Sequence, residues 1–191
     1  MITCKNPILS GFYQDPSICR VGEWFYLVTS TFAYFPGIPV FCSRNLAQWE
    51  QIGNILTRES QLPLQGCEHN EGIYAPTLRW HKGTFYLITT NVSGGRNFIV
   101  TAKNPQGPWS EPHFWENARG IDPSLFFDED GTCYYIGQRE NSRGDRRLYL
   151  CHSMYQWNRE DTCRKENREK RYADPEIERR PKPGTGMADS A

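Results

Sequence analysis

The chain is predicted to be all-β, an incomplete β-propeller of about two and a half blades, and three observations carry that prediction. One design recurs three times: a short apolar strand, a tight turn, then a strand rich in aromatic residues. A second pattern, an apolar strand leading to a tryptophan, follows the first two copies at a constant interval. No apolar stripe of helical period is visible before about residue 150.

The first unit opens with Asp15-Pro16-Ser17-Ile18, turns at Val21-Gly22-Glu23 and returns through Phe25-Tyr26-Leu27-Val28. Phe41-Cys42-Ser43-Arg44 then leads to Trp49. In the second unit Ala75-Pro76-Thr77-Leu78 turns at His81-Lys82-Gly83 into Phe85-Tyr86-Leu87-Ile88, and Ile99-Val100-Thr101-Ala102 leads to Trp109. The third has Asp122-Pro123-Ser124-Leu125, a turn at Asp128-Glu129-Asp130-Gly131, and Tyr134-Tyr135-Ile136-Gly137. Glycine-containing connections of this kind join antiparallel strands. Pro16 and Pro76 stand 60 residues apart, as do Trp49 and Trp109, so one repeat holds about two hairpins, or four strands. Propeller blades usually repeat every 40 to 50 residues or so, and the longer period implies longer loops. A β-sandwich with fortuitous internal similarity is the competing architecture.

Composition narrows the function classes. At 191 residues the chain is long enough to bury a sizeable core. Lysine plus arginine and aspartate plus glutamate balance at 22 each, so no net field favours nucleic acid or an anionic membrane. Met1 to Asp15 lacks the apolar run of a signal peptide, and no stretch approaches the roughly 20 apolar residues of a membrane span, which leads us to expect a cytoplasmic protein. Seven scattered cysteines without a Cys-x-x-Cys pair are expected to be reduced core thiols, and neither a metal nor a cofactor is expected. Six Trp, ten Tyr and ten Phe supply both core filler and platforms on which sugar rings stack.

The chain divides into a propeller portion, residues 1–150, and a charged tail, residues 151–191, expected to be disordered. From Arg159 to Arg180, 15 of 22 residues are charged, and apolar residues are nearly absent. The tail starts while the third unit is incomplete, as translation in a shifted frame near codons 145 to 152 would produce.

Two carboxylates stand out as candidates for chemistry. Asp15 and Asp122 occupy the same place in their repeats, where the middle repeat has Ala75. Equivalent positions of a propeller converge on its axis, so both acids are expected at the central cavity. The proline after each is expected to hold the aspartate in extended backbone. A purely structural reading also exists, since aspartate before proline is ordinary turn chemistry.

The order of motifs resembles glycoside hydrolase family 43. The likeness rests on Asn6-Pro7-Ile8-Leu9-Ser10-Gly11-Phe12, Asp15 to Arg20, Ser30-Thr31-Phe32-Ala33-Tyr34-Phe35-Pro36-Gly37, Gly72-Ile73-Tyr74-Ala75-Pro76-Thr77 and Gly120 to Asp128. The resemblance implies a five-bladed propeller that cleaves xylosides or arabinofuranosides with inversion, and a pentose-containing oligosaccharide or glycoside as partner. It further implies Asp15 as the general base that activates water, and Asp122 as the acid that orients the proton donor and raises its pKa. Phe32 is similar to the aromatic wall of the sugar pocket, and Tyr74 stands where relatives often carry tryptophan.

One departure matters. The proton donor of this family is a glutamate in a Glu-Gly-Pro-His-like motif beyond Asp122, and no such motif is present. Glu71-Gly72 precedes the second repeat and Glu111-Pro112-His113 precedes Asp122, so neither holds the donor's place. Acid assistance is worth about 10² to 10⁴ in rate, so the chain alone is expected to be inactive. An unpaired sheet edge is expected to favour oligomers.

Overall fold

The computed structural model describes residues 5–94, 96–114, 120–140 and 146–153. The propeller reading, rather than the sandwich, holds. Four strands, β1 (Ser17–Val21), β2 (Trp24–Val28), β3 (Gly37–Ser43) and β4 (Glu50–Leu56), form an antiparallel meander in chain order. A second meander repeats it with β5 (Thr77–His81), β6 (Thr84–Asn91), β7 (Arg96–Ala102) and β8 (His113–Phe114). The third sheet holds β9 (Ile121–Phe127), β10 (Cys133–Glu140) and β11 (Arg146–Ser153), which adds a strand to the predicted hairpin. Cys151, His152 and Ser153, expected to open the tail, instead complete β11 by pairing with Tyr135, Tyr134 and Cys133; the tail beyond residue 153 lies outside the described residues.

All three predicted turns join strands where expected, with Val21 paired to Trp24, His81 to Thr84, and Phe127 to Cys133. Each repeated tryptophan braces the loop before it. Trp49 Nε1 donates to Leu46 O at 3.0 Å and Trp109 Nε1 to Pro105 O at 3.2 Å, which is why the residue recurs at one position per blade.

Period-two alternation explains how the sheets stack, since successive side chains leave opposite faces of a strand. On the middle sheet, Leu78, Phe85, Leu87, Phe98 and Val100 pack against Val28, Ile38, Val40, Ile55 and Leu56 of the first. The intervening Ile88 and Ile99 turn the other way and meet Leu125 and Tyr135 of the third. β6 and β7 are therefore buried on both faces, whereas β1 exposes Ile18 and β9 exposes Phe126 on the outer faces of the stack. The first strands are neighbours, β1 packing beside β5 and β5 beside β9, so they line the inner side.

Cys42 is buried and Cys19 packs against the core, as expected of reduced thiols. His81 lies flat on Phe127 with centroids 4.5 Å apart, and burial, with Lys82 beside it, lowers its pKa. Among the described residues no helix is long and apolar enough to cross a membrane.

Candidate functional site

Asp15 stands two residues before β1, and Asp122 is the second residue of β9, so each marks the head of an inner strand. Both side chains are exposed. Their backbone corrects the expectation of extended geometry, because φ is 52° at Asp15 and 56° at Asp122. These are left-handed values, which aspartate tolerates better than most residues because its short polar side chain can bond locally. At Asp122 a bulge accompanies the turn: Ser124 pairs with Ile136 and Ile121 with Gln138, so Asp122 and Pro123 together face Gly137. A bulge re-aims a side chain at a strand end. Ala75, the counterpart in the middle repeat, has no positive φ.

Asp15 is held from β2's far end. Ser30, fully buried, donates its hydroxyl to Asp15 Oδ2 at 2.8 Å, and its N–H donates to Gln14 O at 3.0 Å. Two buried side-chain oxygens without a partner among the described residues, Gln14 Oε1 and Thr29 Oγ1, belong to the neighbours of this pair. Buried polar atoms left unpaired cost stability, and they sit here beside the candidate base.

The serine of each Asp-Pro-Ser motif ties its strand to β5. Ser17 Oγ accepts from Leu78 N at 3.1 Å, and Ser124 Oγ accepts from Arg79 Nη2 at 3.1 Å, while Arg79 Nε donates to Leu125 O at 2.9 Å. Two adjacent residues of the middle blade therefore grip the strands that carry both aspartates. Repetition of Asp-Pro-Ser displays these serines in the sequence, but nothing there names Leu78 and Arg79 as their partners.

Phe32 and Tyr74, distant in sequence, meet with ring centroids 5.4 Å apart. Their meeting is a backbone event. Ile73 exchanges hydrogen bonds with Phe32 at 2.9 and 3.0 Å, while Tyr74 N donates to Thr90 O and Val92 N to Gly72 O. Gly72 makes this possible, having φ of 84° and no Cβ to strike the Phe32 carbonyl. Two further rings, missed by the sequence reading, extend the pair: Phe12 lies 5.8 Å from Phe32, and Tyr34 lies 5.6 Å from Phe12. Both belong to motifs already conspicuous in the sequence, Gly11-Phe12 and Thr31 to Phe35.

The two glutamates in partial donor motifs are occupied elsewhere. Glu71 Oε2 accepts from Glu68 N at 3.1 Å and from Ser93 Oγ at 3.4 Å, stitching a loop. Glu111, in the segment between β7 and β8, pairs with Arg58, just past β4, at 2.7 Å.

Residues 4–179 match the family Glycosyl hydrolases family 43. The chain belongs to this family. The match runs past residue 150 into the charged segment. A xylosidase/arabinosidase of Butyrivibrio fibrisolvens is 64% identical over 148 residues, which are 76% of this chain and 28% of that protein. A non-reducing end α-L-arabinofuranosidase of Bacteroides ovatus, BoGH43B, is 54% identical over 70% of this chain and 26% of its own length. Among solved structures, the xyloglucan-locus GH43B of Bacteroides ovatus superposes with a TM-score of 0.68 at 48% identity, covering 77% of this chain and 29% of that one. A GH43_12 protein from a capybara gut metagenome gives 0.69 at 44% identity, over 75% and 28%. The family 43 chain thus spans under a third of these relatives' length, and its fold is part of their five-bladed propeller.

Proposed function

We propose that this chain supplies the water-activating side of a pocket that cleaves xylosides or arabinofuranosides with inversion. Asp15 is the general base, and Asp122 orients and raises the pKa of a proton-donating glutamate that these 191 residues do not provide. Phe32 and Tyr74 hold the pentose ring. The observation that carries this reading is the delivery of Asp15, Ser30 and Phe32 by two zipped segments, so that a hydrogen-bonded carboxylate is built beside an aromatic wall. A base and a ring platform bind sugar, but expulsion of an alkoxide of high pKa needs an acid, so the chain alone binds without turning over.

Support also comes from the relatives, whose names are those of xylosidases and arabinofuranosidases. The test pairs two assays on the full chain. Xylose is expected to raise the unfolding temperature, the Phe32→Ala variant is expected to lose that protection, and aryl xyloside turnover is expected to be absent. Turnover that vanishes in Asp15→Ala would refute the binding-only part, and a melting point indifferent to xylose and arabinose would refute the pocket itself.

A further inference from the structure

A groove lies at the opposite end of the blades from Asp15. Asp15 precedes the head of β1, whereas Trp24 pairs with Val21 at the far end, and the five-residue strand sets the two ends roughly 15 Å apart. The groove runs between the first blade and the loop that follows β7, with a volume of about 510 Å³. Clefts of about 300 to 1,000 Å³ suit small ligands. Trp24 and Tyr26 of β2 line it, over buried Cys42 and half-buried Ile52, and residues 103–106 form the facing wall.

These parts are fixed by contacts of their own. Arg44 lies over the Trp24 ring, 4.4 Å from its centre, but does not line the groove, so the surface that Trp24 gives to the groove is a different one. Tyr26 stands edge-on to Phe85 at 5.3 Å. The facing loop is closed on itself: Gln106 N donates to Asn104 Oδ1 at 3.0 Å, Gly107 N to Asn104 O at 2.8 Å, and Trp109 Nε1 to Pro105 O at 3.2 Å. The recurring tryptophan of the second blade thus braces one wall. Gln106 Nε2 reaches across to Ile52 O at 3.4 Å. Glu50 and Lys103, both exposed, bring opposite charges that cancel.

We infer that this groove is a second carbohydrate site, which holds a stretch of neutral, xylan-type polysaccharide on the face of the molecule away from the pocket. Aromatic surface takes the apolar face of a sugar ring, while amides and paired charges at the rim bond its hydroxyls. Cancelling charges favour a neutral chain over an acidic or basic one. The choice of a pentose polymer rests on the pocket reading above, and the groove itself is built without any residue of that pocket.

The experiment is native electrophoresis of the full chain in gels cast with soluble arabinoxylan, beside thermal unfolding with xylose. Arabinoxylan is expected to retard wild type, with little change at high salt, as suits a neutral ligand. Trp24→Ala is expected to weaken the retention roughly fivefold, the scale of one aromatic contact, and Gln106→Ala about twofold, both keeping xylose protection. Phe32→Ala is expected to lose xylose protection and keep most of the retention. Should Trp24→Ala fail to fold, Gln106→Ala, on the exposed loop, decides alone. Wild type that runs unretarded, or retention lost in Phe32→Ala but kept in the groove variants, overturns the second site and leaves the pocket standing. Retention that depends on Trp24 in a protein without xylose protection defeats the pocket and leaves the groove.

Discussion

At the scale of single residues, local chemistry follows from burial. The Cys133 thiol is pushed up to about 11 because it sits against Tyr86 and Phe127 between the second and third blades, where a thiolate would lose its hydration. Only the thiolate attacks electrophiles. At pH 7.5 its share is therefore on the order of 10⁻³ to 10⁻⁴, and iodoacetamide should label the Cys133 peptide slowly in native protein and rapidly in urea. Mass spectrometry of the two peptide pools checks this, and equal rates would show that the blade contact is open. Asp15 and Asp122 teach the complementary lesson. Their equivalence was legible from two copies of Asp-Pro-Ser, but their left-handed backbone was not, because the usual restraint of a following proline points to extended geometry; at Asp122 a bulge opposite Gly137 accompanies the departure.

At the scale of elements, the strands and turns read cleanly because each carries its own signal, an alternating apolar pattern ended by a glycine-containing connection. What the pattern omits is the three-residue segment Gly72-Ile73-Tyr74, too short to show a period, which inserts between Phe32 and the end of β6. The Gly72→Ala variant should test its role. An added Cβ meets the Phe32 carbonyl and the backbone already has φ of 84°, so stability is expected to fall by about 1 to 3 kcal/mol in urea unfolding. Xylose protection should fall with it, since Phe32 and Tyr74 would part. A neutral change would mean that the segment is not pinned as described.

At the scale of the whole molecule, three sheets hold together through the two faces of the middle one. Arg79 is the polar link in that stack, reaching Ser124 Oγ and Leu125 O on β9 while donating to its own neighbour's carbonyl, Leu78 O. Truncation to alanine removes all three bonds and strands part-buried acceptors, so about 2 to 3 kcal/mol should be lost. The loss should appear first as faster labelling of Cys133, which lies on the far side of the same contact. Unchanged labelling with reduced stability would place the weakness elsewhere.

The sequence by itself determined the all-β class, the 60-residue repeat, the turns and the paired Asp-Pro-Ser motifs, because these are set by near-neighbour chemistry. Tertiary structure alone decided which serines grip β5, how Phe32 and Tyr74 meet, and that Phe12 and Tyr34 extend them. Those outcomes depend on contacts between segments tens of residues apart, made by blade stacking and by one glycine that lets two backbones touch, and no local pattern encodes them.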